Sequence, residues 1–148
     1  ATFSVSRQQD RWQLTIGGLQ GPRSNISHEV IKRATRACYG LFPKRLLMEF
    51  IWLMAARCGI QHIYGVSDNG HVFRALRYRL SKGRHFHASY DEFWQSSEGV
   101  ADGAWRWRLP LKLERKTLES IASKKRAEYR RRFQLLDDMA AQMTILID

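Results

Sequence analysis

The chain has 148 residues, and its 25 Lys and Arg against 14 Asp and Glu give a formal net charge of +11. This length predicts a single domain, residues 1–148, and a hydrophobic content of 44% excludes a disordered chain. Two cysteines, Cys38 and Cys58, cannot form a disulfide framework, which favours a reducing, cytoplasmic setting. The most apolar run, Leu46–Ala56, contains Glu49 and is too short to cross a bilayer. The excess of positive charge predicts an anionic partner.

The first part of the chain is predicted to hold one strand and one helix. The segment Arg11–Leu19 alternates apolar and polar residues approximately, as a strand does. Ser27 has the position of a helix N-cap, and the helix that follows is predicted to run to about Tyr39. Its predicted inner stripe consists of Val30, Ile31, Ala34, Ala37 and Cys38.

A second helix and a buried strand are predicted next. Pro43 is suited to open this helix, which is predicted to run from Lys44 to Cys58 and to end at Gly59 as a C-cap. Apolar residues cover so much of its surface that the pattern indicates a buried helix. The predicted core positions are Leu47, Phe50, Ile51, Met54 and Cys58. The mostly apolar segment Ile60–Ser67 predicts an inner strand of a sheet.

The rest of the chain is predicted to alternate strands, turns and helices, ending in a long basic helix. In chain order, the predicted elements are a turn at Asp68–Gly70, a helix at Val72–Leu80, a strand at His85–Tyr90, a short turn capped by Asp91, a loop at Gly99–Gly103, a strand at Trp105–Leu109 and a helix from about Leu118 to Ile147. The apolar face of the last helix comprises Leu118, Ala122, Tyr129, Phe133, Leu136, Ala140 and Met143. This order predicts an α/β or α+β fold with a mixed sheet and packed helices.

The densest positive charge lies between Lys112 and Arg132, where nine Lys and Arg stand against three Glu. Six of these cations fall within nine residues, namely Lys124, Lys125, Arg126, Arg130, Arg131 and Arg132. On a helix the two blocks lie one heptad apart, with Lys125 and Arg132 at the edge of the apolar stripe. The pattern predicts binding of phosphates, carried by lipid head groups, nucleic acid or a cofactor. The alternative is a solvated face whose long side chains cover the edge of the core.

A second candidate site is the turn Gly40–Arg45. It leads into a predicted helix N-terminus, where free backbone N–H groups and the helix dipole favour an anion. Lys44 and Arg45 add positive charge at the same place. The alternative is an ordinary corner between two helices, and the chain contains no Walker or dinucleotide-binding glycine pattern.

Other chemistry-bearing residues give weaker signals. His85 and His87 would share a strand face and could bind a metal, but no third ligand stands at a recognised spacing, so no metal site is predicted. Cys58 closes a predicted buried helix and is assigned to the core. The segment Tyr90–Trp94 combines two carboxylates with three aromatic rings and is interpreted as a packed corner rather than a polar site beside His71 or His85.

The chain carries several distinctive blocks in a fixed order: Leu19–Gly21, Gly40–Lys44, Gly65–Ser67, His71–Val72, Tyr90–Trp94, Leu109–Pro110, Ser123–Ala127 and Arg130–Arg132. Together these blocks resemble the VirK/YbjX family of bacterial proteins, also known as a domain of unknown function. Members of that family are usually longer, so the resemblance implies that this chain is the C-terminal part of a larger protein. The family is associated with virulence and with resistance to cationic antimicrobial peptides in Gram-negative bacteria. The resemblance implies no catalytic residues.

The order of the predicted elements is also similar to the latter half of a GNAT-type acyltransferase. In that fold, a loop and a helix N-terminus hold the pyrophosphate of an acyl-CoA. The resemblance places Gly40, Lys44 and Arg45 at that position, with Ser67 on the neighbouring strand. It implies acyl-CoA or acyl carrier protein as the cofactor, an expectation at the level of the fold alone.

Two functions are predicted for a protein in the cytoplasm or held peripherally at the inner membrane of a Gram-negative bacterium. The first is an acyltransferase-like enzyme acting in envelope maintenance, and a pocket converging on Lys44, Arg45 and Ser67 would favour it. The second is a non-enzymatic binder of anionic lipid or nucleic acid through Lys112–Arg132. A continuous basic surface would favour the second, and the sequence leaves the oligomeric state open.

Overall fold

The computed structural model describes residues 1–23, 25–70 and 90–147. Its elements, in chain order, are β1 (Thr2–Gln8), β2 (Arg11–Gly18), α1 (His28–Ala37), α2 (Pro43–Arg57), β3 (His62–Val66), α3 (Tyr90–Ser96), β4 (Val100–Asp102), β5 (Arg106–Leu109), a 3-10 turn (Leu118–Ser120) and α4 (Ser123–Ile147). The helix predicted at Val72–Leu80 lies outside the described residues. So does the strand predicted at His85–Tyr90, apart from Tyr90, which begins α3.

The chain forms two compact units. The sheet unit contains Ala1–Gln20 and Gly59–Leu113, and the helical unit contains Gly21–Cys58 and Glu114–Asp148. Among the described residues, the sheet unit has five strands in the order β1-β2-β3-β5-β4. The pair β2–β3 is parallel, whereas β1–β2, β3–β5 and β4–β5 are antiparallel. The protein is therefore an α+β protein with a mixed sheet, as predicted, and its description as one domain stays a prediction.

Two strands were not predicted, and both lie at sheet edges. Every residue of β1 is exposed, so no buried face marks it in the sequence. A two-residue turn joins β1 to β2, with positive φ angles of 48° at Gln9 and 63° at Asp10, as a type I′ hairpin requires. The strand β4 replaces part of the predicted loop Gly99–Gly103, because three residues are too few to show a period.

The core of the sheet unit is built on one face of the central strands. Leu14, Ile16 and Ile63 are fully buried there, which confirms Ile60–Ser67 as the site of an inner strand. Trp94 of α3 is also fully buried, and its Nε1 donates a hydrogen bond of 2.9 Å to the carbonyl of Val66. The indole ring lies directly over Gly65, where no side chain could be accommodated.

Two aspartates join the turn after β3 to the beginning of α3. The Asp68 Oδ1 accepts the N–H of Tyr90 at 2.8 Å, which satisfies an N–H group that a helix N-terminus leaves open. The Asp91 Oδ1 accepts the N–H of Asp68 at 3.0 Å and Nε1–H of Trp107 at 2.9 Å. These carboxylates therefore hold strand, turn and helix together, which agrees with the interpretation of this segment as a packed corner.

Tyr90 makes the stability of this corner sensitive to alkaline pH. Burial raises the pKa of its phenol above the usual value of 10.0, although the hydrogen bond that its oxygen accepts from the Leu19 N–H acts in the opposite sense. The unfolded chain therefore ionises Tyr90 first, and stability that is present below pH 10.0 is lost as the pH rises through the raised pKa. We expect the free energy of unfolding to fall more steeply above this pH in the wild type than in Tyr90→Phe. Urea titrations across this range would show parallel profiles if the phenol were not buried.

In the helical unit, α1 begins and ends near its predicted limits. The Ser27 Oγ accepts the N–H of Val30 at 3.4 Å, which confirms the predicted N-cap. The helix ends in a Schellman motif, in which the N–H of Gly40 donates to the carbonyl of Thr35 at 2.8 Å. The predicted inner stripe is wrong in part, because Val30 and Ala37 are exposed while Ile31, Ala34 and Cys38 are half-buried.

The second helix is placed correctly in the chain, but its predicted core face is wrong in part. Pro43 occupies the first turn of α2 as predicted. The buried residues are Met48, Ile51, Trp52 and Ala55, whereas Phe50 and Cys58 are exposed and Leu47 and Met54 are half-buried. Apolar residues occur on nearly every side of this helix, so their period does not determine which side is buried.

The last helix starts later than predicted. The 3-10 turn at Leu118–Ser120 is separated from α4 by Ile121 and Ala122, and Ile121 has an extended backbone. Most of the predicted inner face is confirmed, since Leu136 and Met143 are buried and Tyr129, Phe133 and Ala140 are half-buried, whereas Ala122 is exposed. Among the described residues, no helix combines the length and the apolar character needed to cross a bilayer.

Candidate functional site

The six clustered cations of α4 divide into two groups in the structure. Arg126 and Arg132 are half-buried. The other four are exposed and constitute what we call the basic surface: Lys124, Lys125, Arg130 and Arg131. Lys124 and Arg131 stand seven residues apart on one side of the helix. Arg132 lies at the edge of the apolar stripe as expected, whereas Lys125 is exposed and its expected position at that edge stays a prediction.

Arg126 stabilises the segment that leads into α4. Its Nε donates to the carbonyls of Leu118 and Ile121, both at 2.9 Å. These oxygens belong to the 3-10 turn and to the extended residue after it. The guanidinium thus fixes the direction in which the chain enters the helix, and this contact accounts for Arg126 without any ligand.

Arg132 fastens α4 to the end of α1 within the helical unit. Its Nε donates to the carbonyl of Tyr39 at 2.9 Å, and its guanidinium lies 4.0 Å from the ring centre of Tyr129. A second nitrogen, Nη2, lies 3.4 Å from the Glu128 carboxylate. A cation at a helix C-terminus also has a favourable interaction with the helix dipole.

Gly40 is required by this contact as well as by the turn. Its φ is +84°, in the left-handed region that favours glycine. A Cβ at this position would lie 2.8 Å from the Glu128 carboxylate and even closer to the guanidinium of Arg132. The glycine predicted as part of an anion site thus makes room for the side chains of α4.

This division predicts different effects for two adjacent arginines. We expect Arg132→Gln to lower the free energy of unfolding by about 2 kcal/mol, because the part-buried carbonyl of Tyr39 loses a charged donor and Tyr129 loses its cation. Arg131→Gln should change it by less than about 0.5 kcal/mol, as is usual at an exposed position. Thermal or urea unfolding would contradict the assignment if both variants lost the same stability.

The acidic residues near the middle of α4 are already engaged elsewhere. Asp137 accepts Nη2–H of Arg115 at 2.7 Å, and Asp138 accepts Nε2–H of Gln134 at 2.8 Å. Within the part of the chain that the structure describes, no ion pair involves any of the four cations of the basic surface. Their positive charge is therefore not neutralised by those residues.

The second candidate site has fewer available donors than the sequence pattern suggests. Pro43 has no N–H, and the N–H of Arg45 donates to the carbonyl of Phe42 at 2.9 Å. The Arg45 side chain pairs with Glu49 at 3.2 Å and lies 5.1 Å from the ring centre of Trp52. Lys44 is half-buried. The predicted use of Gly40, Lys44 and Arg45 as an anion site remains a prediction.

Ser67 is committed to the turn after β3. Its buried hydroxyl donates to the carbonyl of Ala104 at 2.9 Å and accepts the N–H of Gly70 at 3.1 Å. It belongs to the sheet unit, whereas Gly40, Lys44 and Arg45 belong to the helical unit. The described residues contain no group of three or more His, Cys, Asp or Glu able to hold a metal ion, and His71, His85 and His87 lie outside them.

The fold and this surface define an α+β protein whose long C-terminal helix presents exposed cations that have no ion pair with the described residues. The chain belongs to the family described as "Protein of unknown function (DUF535)", whose model matches residues 1–144. It is 47% identical over 145 residues to the Escherichia coli protein YbjX, a match covering 98% of this chain and 44% of that protein. The family predicted from the sequence is thereby confirmed.

Two further relatives extend the comparison. A Haemophilus influenzae protein is 38% identical over 128 residues, covering 86% of this chain and 42% of the relative. A Mannheimia haemolytica protein named "Membrane protein LapB" is 36% identical over 53 residues, covering 36% of this chain and 24% of the relative. Each match spans less than half the length of the relative. No solved structure matches it.

Proposed function

We propose that the chain binds an anionic membrane surface through the basic surface of α4. The observation that carries this proposal is the group of four exposed cations within eight residues, with no ion pair to the described residues. Like charges this close together in the chain repel one another, and an anionic partner relieves that repulsion. Phosphate groups of lipids provide such a partner over an extended surface.

The strength of the electrostatic contact is modest. A basic residue near an anionic membrane contributes about 1 kcal/mol, so four contribute about 4 kcal/mol. That free energy corresponds to a dissociation constant of about 1 mM. The basic surface can therefore direct the protein to the membrane, and a second contact is needed for a stable complex.

A lipid surface is favoured over nucleic acid by one comparison. The Mannheimia haemolytica relative carries the name of a membrane protein. A peripheral position at the inner membrane would also suit the link of the VirK/YbjX family to virulence and to antimicrobial-peptide resistance, both of which stay predictions for this chain. Nucleic acid, the other polyanion predicted from the sequence, is an outcome that the experiment distinguishes.

The GNAT-like acyltransferase hypothesis, which places the cofactor near Gly40, Lys44, Arg45 and Ser67, receives less support than membrane binding. Arg45 is paired with Glu49, and the Ser67 hydroxyl donates to the carbonyl of Ala104 and accepts the N–H of Gly70. Gly40, Arg45 and Ser67 therefore offer no set of unengaged hydrogen-bond donors that would support binding of acyl-CoA or acyl carrier protein. This hypothesis, the first of the two from the sequence, stays a prediction.

The experiment is co-sedimentation of the protein with three kinds of partner. We expect binding to vesicles of phosphatidylcholine mixed with phosphatidylglycerol, weakening as salt is raised, and no binding to pure phosphatidylcholine. A structured RNA serves as the competing polyanion. Displacement of the protein from the mixed vesicles by equimolar RNA, or equal binding to both vesicle types, would overturn the proposal.

A further inference from the structure

We propose that α1 is a membrane-insertion element that lies in the interface of an anionic bilayer. The helix spans ten residues and none of them is buried. Val30 is 50% exposed, and Ile26, just before the helix, is 40% exposed. A surface helix of a globular protein ordinarily turns its apolar stripe towards the core. Part of the apolar stripe of α1 is instead presented to solvent.

The polar side of α1 has the composition of an interfacial helix. Lys32 and Arg36 lie on the side of the helix away from Val30 and Ala37, whereas Arg33 borders these two residues, and Glu29 is the only acidic residue of the helix. Helices that lie in the membrane interface combine an apolar face with a polar face rich in Lys and Arg. All three cations are exposed. The helix is therefore matched in charge to anionic head groups and in polarity to the acyl region below them.

Exposed aromatic rings occur close by in the sequence, at the beginning of α2. Phe42 is 45% exposed and Phe50 is 42% exposed. Phe42 is the N-cap residue of α2 and follows the turn that Gly40 and Arg132 fix at the end of α1. The helical unit thus exposes large apolar side chains before, within and after α1 in the sequence.

The charges decide which occupant fits this surface. A second copy of the chain would bring together two proteins of net charge +11, with Arg33 beside Val30 on both surfaces, and like charges would oppose the contact. An anionic bilayer attracts the same cations while it accepts Val30 and Ile26. The inference rests on the proposed function, for which it supplies the second contact.

Val30→Gln tests the insertion without weakening the helix. Ser27 is the N-cap and Val30 is the third helical residue, so a glutamine there completes a capping box, which favours helix formation. The matched control is Val100→Gln, because Val100 is 68% exposed and belongs to the sheet unit. Circular dichroism should show both variants folded.

We expect Val30→Gln to bind vesicles of phosphatidylcholine and phosphatidylglycerol roughly tenfold more weakly than the wild type. Burial of a valine side chain in the membrane raises the affinity by at least about tenfold, and the glutamine loses this gain. Val100→Gln and the conservative Val30→Leu should bind like the wild type. Wild-type affinity in Val30→Gln would overturn the inference while leaving the basic surface of α4 in place. Absence of vesicle binding by the wild type would overturn both proposals.

Discussion

Replacing Gly65 with alanine is expected to destabilise the sheet unit by about 3 kcal/mol. A Cβ on Gly65 would lie 2.7 Å from Cδ2 and Cζ2 of Trp94 and closer still to Cε2, so the methyl group and the ring cannot coexist without movement. The ring cannot move aside, because Trp94 is fully buried and its Nε1–H donates a hydrogen bond to the Val66 carbonyl. Overpacking of a core and loss of such a hydrogen bond together account for the magnitude.

The matched control is Gly17→Ala in β2 of the same sheet. A Cβ there would approach nothing closer than 3.9 Å, and the backbone of Gly17 is not in the left-handed region. We expect this variant to be as stable as the wild type or slightly more stable, because alanine loses less backbone entropy on folding. Urea unfolding of both variants is the measurement. A Gly65→Ala protein as stable as Gly17→Ala would contradict the packing of α3 on β3.

Replacing Arg130 and Arg131 together with glutamine is expected to weaken binding to anionic vesicles roughly thirty-fold. Two basic residues near the membrane account for about 2 kcal/mol, which corresponds to that factor. Both side chains are exposed and make no described ion pair, so the fold should not change. Arg126 and Arg132 are left intact because they hold the chain before α4 and the end of α1.

The control for this variant removes the same charge elsewhere. Lys112→Gln with Lys116→Gln also lowers the formal net charge of +11 by two, and both lysines are exposed outside α4. We expect this control to lose little affinity, because its charges lie outside the basic surface. An equal loss in both double variants would show that net charge alone controls binding and would contradict a localised site.

Local signals predicted the chain positions of the elements well. The Ser27 cap and Pro43 gave the beginnings of α1 and α2, because both act through nearby backbone groups. The edge strand β1 was not predicted, since an all-exposed strand has no buried face and depends on pairing with β2. The burial side of α2 was also not determined, because a helix that is apolar on most sides fits its neighbours in more than one rotation.

The candidate site was predicted as a block of charge, and the structure was needed to divide it. Adjacent arginines are equivalent in a charge count, yet Arg132 donates to the Tyr39 carbonyl, 93 residues away, while Arg131 is exposed. Only a contact between distant parts of the chain distinguishes them. One sequence signal was available, namely the position of Arg132 at the edge of the apolar stripe, where a long side chain packs along the core.

The most direct test of the basic surface is the rate at which an amine-reactive reagent labels individual lysines in the presence of vesicles. Mass spectrometry would compare Lys124 and Lys125 with Lys112 and Lys116, all four of which are exposed in the free protein. With vesicles of phosphatidylcholine and phosphatidylglycerol, we expect labelling of Lys124 and Lys125 to slow several-fold while Lys112 and Lys116 react as before. If the vesicle-bound protein is labelled at Lys124 and Lys125 as fast as the free protein, α4 does not contact the membrane and the proposed binding through the basic surface is wrong.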